Sequence, residues 1–510
     1  MKIARGPVVI ALAILLGGVG GWALVRNIAD DATAAAKPAE PKPVSKPTMP
    51  ENLPALAGKL EERKTPPGGY QDDEEAEDAG ALKHQRTLKF TDKAAYERFK
   101  AKANGIAILG EIDRLNILRV GFLSQAELKG LLDGSEQTGF IFPVSIPAPN
   151  DAGVQAGAVG FGDTLLQWLG VNGDNSSYGA GLKVAILDTG FSNTSALAGM
   201  QNINLVDPPA NPADWNGHGT GVGSLINQIA PGATLISFRI AGDDGMSDTF
   251  KLSQGVLAAM DQGVMAINIS FGGGDSPVLR EAIALAQQNG IVIFASPGND
   301  GYTDHMSSPA NYPGVFNPGA VDANGIHLDF SNSADGMVLS APGLSLVTEW
   351  TGNKQVYFTG TSASSPVALG TYLAIRSNNG ITISSDAAVA QMEKTLNDSS
   401  APGVDPQTGA GMVSLRSLDK TPNVLDAAVT SNYLSTDSAG NPVVLVTVQN
   451  QGTATLTNSS LEVTIGNGTS KATIANLPVN AISTYAVPLP AGADLASIHS
   501  SVQVSSGLQD

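Results

Sequence analysis

The 510-residue chain contains no cysteine. Structural disulfides, thiolate metal sites and a cysteine nucleophile are therefore excluded together. Charge is sparse and one-sided: 15% of residues are charged, with 29 Lys and Arg against 47 Asp and Glu, for a net −18. Without a cluster of Lys and Arg to meet phosphates, a nucleic-acid partner is not expected. Aromatics reach only 5%, and the five histidines form no HExxH pattern, which argues against a helix-borne zinc site. What is plentiful is glycine, 58 residues, within a 42% hydrophobic chain, the composition of a Gly-rich globular α/β or β protein. The length exceeds that at which one core stops growing, so several folded units are expected.

Lys2 and Arg5 precede an apolar run from Val8 to Val25, closed by Arg26, the layout of an export signal over residues 1–29. Two readings stand: a signal peptide cleaved near Ala32-Thr33-Ala34, or a retained membrane anchor, the latter favoured because the run reaches the lower limit for a span. Residues 30–84 are rich in Ala, Pro, Lys and Glu, with the acidic run Asp72-Asp73-Glu74-Glu75 and no apolar periodicity, and read as a disordered linker. Over 85–150 the pattern is β-α-β-β-α-β: strands Thr87–Phe90, Ile106–Ile112, Leu115–Val120 and Gly139–Val144, and helices Asp92–Ala103 and Ser124–Leu132. Ser124 with Glu127 makes a capping box, and the order predicts a ferredoxin-like α+β unit.

From 151 to 419, buried strands at Val184–Leu187, Leu235–Phe238, Val264–Ile269 and Ile291–Phe294 alternate with helices such as Leu252–Gln262 and Val278–Asn289. This predicts an α/β domain, a parallel sheet with helices on both faces and its chemistry at the strand C-termini. From 420 to 510 the texture turns to Ser, Thr, Asn and Val, with short alternating runs between Asn- and Gly-rich turns, which predicts a small Ig-like β-sandwich.

Three motifs in the α/β segment carry chemistry. Asp188 closes the apolar strand in Val184-Ala185-Ile186-Leu187-Asp188-Thr189-Gly190, where a partly buried carboxylate can orient an imidazole. His218 sits in Asn216-Gly217-His218-Gly219-Thr220-Gly221, where glycines let backbone and substrate approach the ring. Ser362 lies in Thr359-Gly360-Thr361-Ser362-Ala363-Ser364-Ser365-Pro366, ahead of the small, apolar stretch Val367–Ile375. That stretch predicts a helix whose N-terminus favours negative charge beside the nucleophile. Taken singly, each has a plainer reading: a strand-end acid, a structural histidine, a serine N-cap.

Together they resemble the signatures of the subtilisin-like serine proteases, over roughly residues 155 to 419. The resemblance implies a serine endopeptidase that hydrolyses peptide bonds of protein or peptide substrates, with Asp188, His218 and Ser362 as catalytic triad. It also implies that Asn299, in Ala295-Ser296-Pro297-Gly298-Asn299-Asp300, helps form the oxyanion hole. Ser270, Phe271, Gly272 and Gly273 with Ala295, Ser296, Pro297 and Gly298 would wall the pocket for the residue before the scissile bond. The stretch Ala241-Gly242-Asp243-Asp244-Gly245 would pair with extended substrate backbone. The unit at 85–150 occupies the place of an inhibitory propeptide, which would make the chain a self-processed zymogen cut between about Ser145 and Val154. No cofactor is required; family members often bind structural calcium, for which Asp243 and Asp244 offer carboxylates, although solvated loop acids are their first reading. Where the family usually has Met and His after the Ser and Pro of the third motif, this chain has Ala363 and Val367.

Two rival readings arise. An α/β-hydrolase needs Gly-x-Ser-x-Gly and the order Ser, acid, His, but residue 364 is Ser and only His499 follows Ser362. The other rival is an inert protease-like scaffold that acts as a surface-binding protein through its C-terminal sandwich.

Overall fold

The computed structural model describes residues 73–504, apart from 147–153, 172, 207–215, 380–381, 399–402, 419–423, 438, 491–492 and 494–497. The expected export signal at 1–29, most of the linker at 30–84 and most of the expected self-cleavage segment lie outside the described residues. Among the described residues no helix is long and apolar enough to cross a membrane.

The first unit departs from expectation at its start. Part of the acidic run is a helix, α1 (Asp73–Asp78), with Ala76 buried. Asp73, Glu74 and Glu75 fall in its first turn, where the helix dipole favours negative charge. Ala76 and Ala81 pack with Phe142, and the buried Arg86 pairs with Asp73 while lying 4.2 Å from the centroid of the Phe140 ring. Then follow β1 (Gln85–Phe90), α2 (Lys93–Lys102), β2 (Ala107–Ile112), β3 (Ile117–Gly121), α3 (Gln125–Leu131) and β4 (Glu136–Gly139). The four strands make one sheet in the order β2-β3-β1-β4. Asp92 Oδ1 caps α2 by accepting from Ala95 N at 2.8 Å, and Ser124 Oγ accepts from Glu127 N at 3.3 Å.

Strand periodicity places successive residues on opposite faces, and here both faces are covered. Leu88, Phe90, Leu118 and Val120 pack under the unit's own helices, while Ile112 and Ile117 join the core of the next domain. The strand expected over Gly139–Val144 is two. β4 ends at Gly139, and β5 (Pro143–Ser145) leaves the sheet. Pro143 cannot donate to a ladder, which suits the break.

The second domain continues from a short α4 (Leu165–Leu169) through β6 (Lys183–Asp188), β7 (Gln201–Asn204), α5 (His218–Ile229), β8 (Thr234–Arg239) and β9 (Met246–Asp248). Next come α6 (Thr249–Asp261), β10 (Ala266–Ile269), β11 (Gly272–Gly273), α7 (Pro277–Gln288), β12 (Val292–Ala295) and β13 (Val315–Phe316). Six of these strands form a parallel sheet ordered β13-β12-β10-β6-β8-β7. The inner strands β12, β10, β6 and β8 are buried on both faces, so their sequences are largely apolar rather than alternating, whereas the edge strand β7 is polar and mostly exposed. One face packs Val184, Ile186 and Phe294 against Val222 and Leu225 of α5 and Val367 and Leu373 of α8 (Thr361–Asn378). The other packs Ala185, Ile267 and Ile293 against Val256 of α6 and Leu279 and Ile283 of α7.

Beyond the second domain lie two three-stranded sheets, over residues 427–503, whose Val446, Leu461 and Val463 side chains share one core. They bond to the second domain: Ser431 Oγ donates to Gly160 O at 2.5 Å, Gln451 Nε2 to Gln167 O at 2.6 Å, and Arg416 Nη1 to Asn450 O at 2.9 Å.

Candidate active site

Parallel pairing sets the C-termini of β6, β10 and β12 side by side, with Leu187 opposite Ile269 and Ile269 opposite Ala295. The segments expected to carry function leave the sheet there. Asp188 is the last residue of β6 and fully buried, His218 is the first of α5 and 4% exposed, and Ser362 is the second of α8 and 2% exposed.

The Asp188 carboxylate is held by Thr189, whose N and Oγ1 donate to Oδ1 at 2.8 and 3.2 Å. His218 Nδ1 stands 2.9 Å from Oδ1 and 3.0 Å from Oδ2. With a carboxylate at Nδ1, that nitrogen carries the proton and Nε2 is left as the basic position. Asn216 Oδ1 accepts from His218 N at 2.9 Å, fixing the start of the helix. A Cβ on Gly219 would stand 2.6 Å from Gly190 O and 3.1 Å from Asp188 Oδ1, so glycine here is what lets α5 come down onto the strand end. The ring lies edge-on to Phe358 at 5.3 Å and Phe271 at 6.3 Å, and Phe358 in turn contacts Trp350. Phe358 and Trp350 were given no role in the sequence, because strands 346–350 and 354–358 reach the site only through tertiary packing.

His218 Nε2 and Ser362 Oγ are both buried and lack a hydrogen-bond partner. Unpartnered buried polar atoms are costly.

Around Ser362 a polar lattice fixes the helix start. Asn299 Oδ1 accepts from Thr361 N at 2.9 Å and Thr361 Oγ1 at 2.8 Å, which fixes the side-chain amide and with it Nδ2. Gly360, at φ 133°, has no Cβ to press on that Nδ2, which a Cβ would approach to 2.9 Å. Ser296 Oγ donates to Thr361 O at 3.0 Å, Ser270 Oγ to Ser362 O at 3.3 Å, and Ser365 Oγ to Asn268 Oδ1 at 2.8 Å. Asn332 organises the loop after β12. Its Nδ2 donates to Pro297 O at 3.1 Å, and its Oδ1 accepts from Asp300 N at 3.0 Å and Tyr302 N at 3.1 Å.

Ser270, Phe271, Ala295, Ser296, Pro297 and Gly298 are all buried. Gly272 and Gly273 instead carry a strand of this same chain. β5 lies between β11 and β9 in a three-stranded antiparallel sheet, with Ser145 opposite Gly272 and Met246, and Val144 opposite Gly273 and Ser247. Ile146 N adds a bond to Gly245 O at 3.2 Å. β5 runs antiparallel to β11, so its Ser145 end lies on the Ser270 side of that segment.

The loop 241–245 is pinned from below. Arg239, fully buried at the end of β8, bonds Asp243 Oδ1 through Nη2 at 3.0 Å and Asn204 Oδ1 through Nη1 at 3.2 Å. Asp244 Oδ1 accepts from Met246 N at 2.9 Å. Among the described residues no group of three or more acidic or histidine side chains converges as a metal site would require, and Asp243 and Asp244 are engaged inside their own loop. The other histidines lie apart from Asp188, His218 and Ser362: His84 beside Phe122, His305 stacked on Tyr302, His327 half-buried with its pKa pushed down by desolvation, and His499 on a strand of the last unit.

Comparison with known proteins agrees with this geometry. The model of the Subtilase family matches residues 179–411. Subtilisin BL of Lederbergia lenta is 30% identical over 211 residues, 39% of this chain and 78% of that protein. An intracellular serine protease of Paenibacillus polymyxa is 29% identical over 287 residues, 52% of this chain and 88% of that protein. The crystal structure of fervidolysin from Fervidobacterium pennivorans, a keratinolytic enzyme related to subtilisin, shares the fold, with TM-score 0.55 at 21% identity over 80% of this chain and 69% of that one. An α/β domain with a parallel sheet and a buried Asp–His pair beside a helix-borne serine defines a serine hydrolase. The chain belongs to the subtilase family and is a serine endopeptidase.

Proposed function

We propose that Asp188, His218 and Ser362 act as the catalytic triad of this endopeptidase, a reading carried by the two-oxygen contact of Asp188 with His218 Nδ1. Ser362 Oγ attacks the peptide carbonyl while His218 Nε2 takes its proton. Asp188 holds the imidazole tautomer and stabilises the imidazolium without itself becoming protonated. The tetrahedral oxyanion is bound by Asn299 Nδ2 and Ser362 N, at the N-terminus of α8, where the dipole adds to the donors. His218 then gives its proton to the leaving amine, and water hydrolyses the acyl-enzyme. The mechanism needs no cofactor, and no calcium is assigned to Asp243 and Asp244, which are engaged by Arg239 and Met246.

In this reading residues 85–150 are a ferredoxin-like propeptide and the chain is a zymogen. Support comes from β5, which takes the place of an extended substrate between β11 and β9, and from the ion pairs Lys89–Glu281 and Arg119–Asp248 that join the unit to α7 and to the start of α6. The basic and apolar N-terminal sequence supports export, by a cleaved signal or an anchor, and the two C-terminal sheets are read as an adhesion-related sandwich. The test is expression of the full chain as wild type and as Ser362→Ala, followed by intact mass and casein digestion. The reading requires the wild type to shed its N-terminal unit and digest casein, and the variant to stay uncut and inactive. A folded wild type that does neither would overturn it.

A further inference from the structure

The chain ahead of β5 keeps contact with the second domain beyond the three-stranded sheet. Phe142 N donates to Thr249 Oγ1 at 3.2 Å and Thr249 N donates to Phe142 O at 2.9 Å, so one fully buried threonine at the start of α6 meets both backbone groups of Phe142. Two residues earlier, Ser276 Oγ donates to Phe140 O at 3.2 Å. The Phe142 ring lies on Gly274, where a Cβ would stand 2.7 Å from Cγ and 2.8 Å from Cδ1 of the ring. Only a residue without a side chain leaves room for an aromatic ring there. Next along the strand, Val144 is fully buried against Gly273, whose Cβ would meet its Cγ1 at 2.8 Å.

We infer that Gly274, Thr249 and Ser276 form a substrate subsite remote from the reacting bond, one that selects an aromatic side chain two residues ahead of the aliphatic residue seated like Val144. This rests on reading β5 as substrate-like. Thr249 and Ser276 bind the backbone and so fix register, while the bare floor at Gly274 supplies the selection. The preferred substrates are thus extended protein segments with an aromatic residue followed two positions later by a β-branched aliphatic. In the uncleaved chain Ala76 and Ala81 cover the ring's other side. A free substrate keeps only the Gly274 face, which sets the expected selectivity at about 5-fold, the worth of half-burying one ring.

The experiment uses the full chain after self-processing, with two fluorogenic peptides reproducing residues 139–150 of this sequence, one unchanged and one carrying Phe142→Ala. The unchanged peptide is expected to show about 5-fold higher kcat/KM, with cleavage at the same bond in both. In the Gly274→Ala enzyme the ratio should fall toward one, because the new methyl group occupies the ring's place. Equal kcat/KM for the two peptides with wild-type enzyme would overturn the subsite while leaving the substrate-like reading intact. If casein is digested but neither peptide is cut, the substrate-like reading of β5 fails, and the subsite with it.

Discussion

His218 Nδ1 lies within 3.0 Å of both carboxylate oxygens of Asp188, one of which is also held by Thr189 N and Oγ1. The carboxylate is thereby fixed as an acceptor, and it dictates which imidazole nitrogen carries the proton. Asp188→Asn keeps the shape but presents an amide, and the imidazole flips its proton to Nε2. The expected result is a fall in kcat of about 10⁴ with KM little changed, and loss of self-processing. Steady-state kinetics on a soluble peptide will show it, and a variant retaining more than a tenth of wild-type kcat would remove Asp188 from the triad.

Arg239 acts at a distance from the reacting atoms. Its bonds to Asp243 and Asn204 hold the loop whose Gly245 carbonyl accepts from Ile146 N, and Asn216 Nδ2 ties that loop back through Asp243 O at 3.3 Å to the start of α5. Arg239→Met keeps bulk and removes the bonds. Because small displacements of a binding strand weaken substrate positioning, KM should rise by about an order of magnitude, with a smaller change in kcat. A uniform loss of both, matched by loss of folded signal, would mark the arginine as merely structural.

Asp163 sits between the two bonded residues Gly162 and Thr164, at the face that meets the C-terminal sheets. Desolvation raises its pKa from 3.8 to about 6. A carboxylate whose folded pKa exceeds its unfolded value costs stability as it ionises: the folded form is favoured at low pH, and that advantage is lost as pH rises from about 4 to about 6. Asp163→Asn stays neutral throughout, so it should raise the melting temperature at pH 8 and leave it little changed at pH 4. A gain of equal size at both pH values would trace the effect to something other than the charge.

Much of the site is legible in the sequence because the chemistry constrains residue types locally. An acid at the end of an apolar strand, a histidine between glycines and a serine opening a small-residue helix each leave a signature within ten residues, and the structure brings Asp188, His218, Ser362 and Asn299 to one edge of one sheet. Asn332, Phe358, Trp350 and Arg239 were not assigned roles, since nothing local distinguishes them from ordinary loop, strand and core residues. Their function follows from what they touch, in partners between 4 and 140 residues away.

The same division holds for the fold. Continuous apolar runs separated by amphipathic stretches determine a parallel sheet covered on both faces, because only strands buried on two sides can be apolar without alternation. The acidic run at 73–75 and the segment 139–146 were decided by tertiary structure. α1 depends on Arg86 and Phe142 to be worth forming, and β5 has no partner until β9 and β11, more than a hundred residues further on, stand a strand's width apart with room between them. Local sequence sets what each segment can bond to; only the assembled domain decides which of those bonds are within reach.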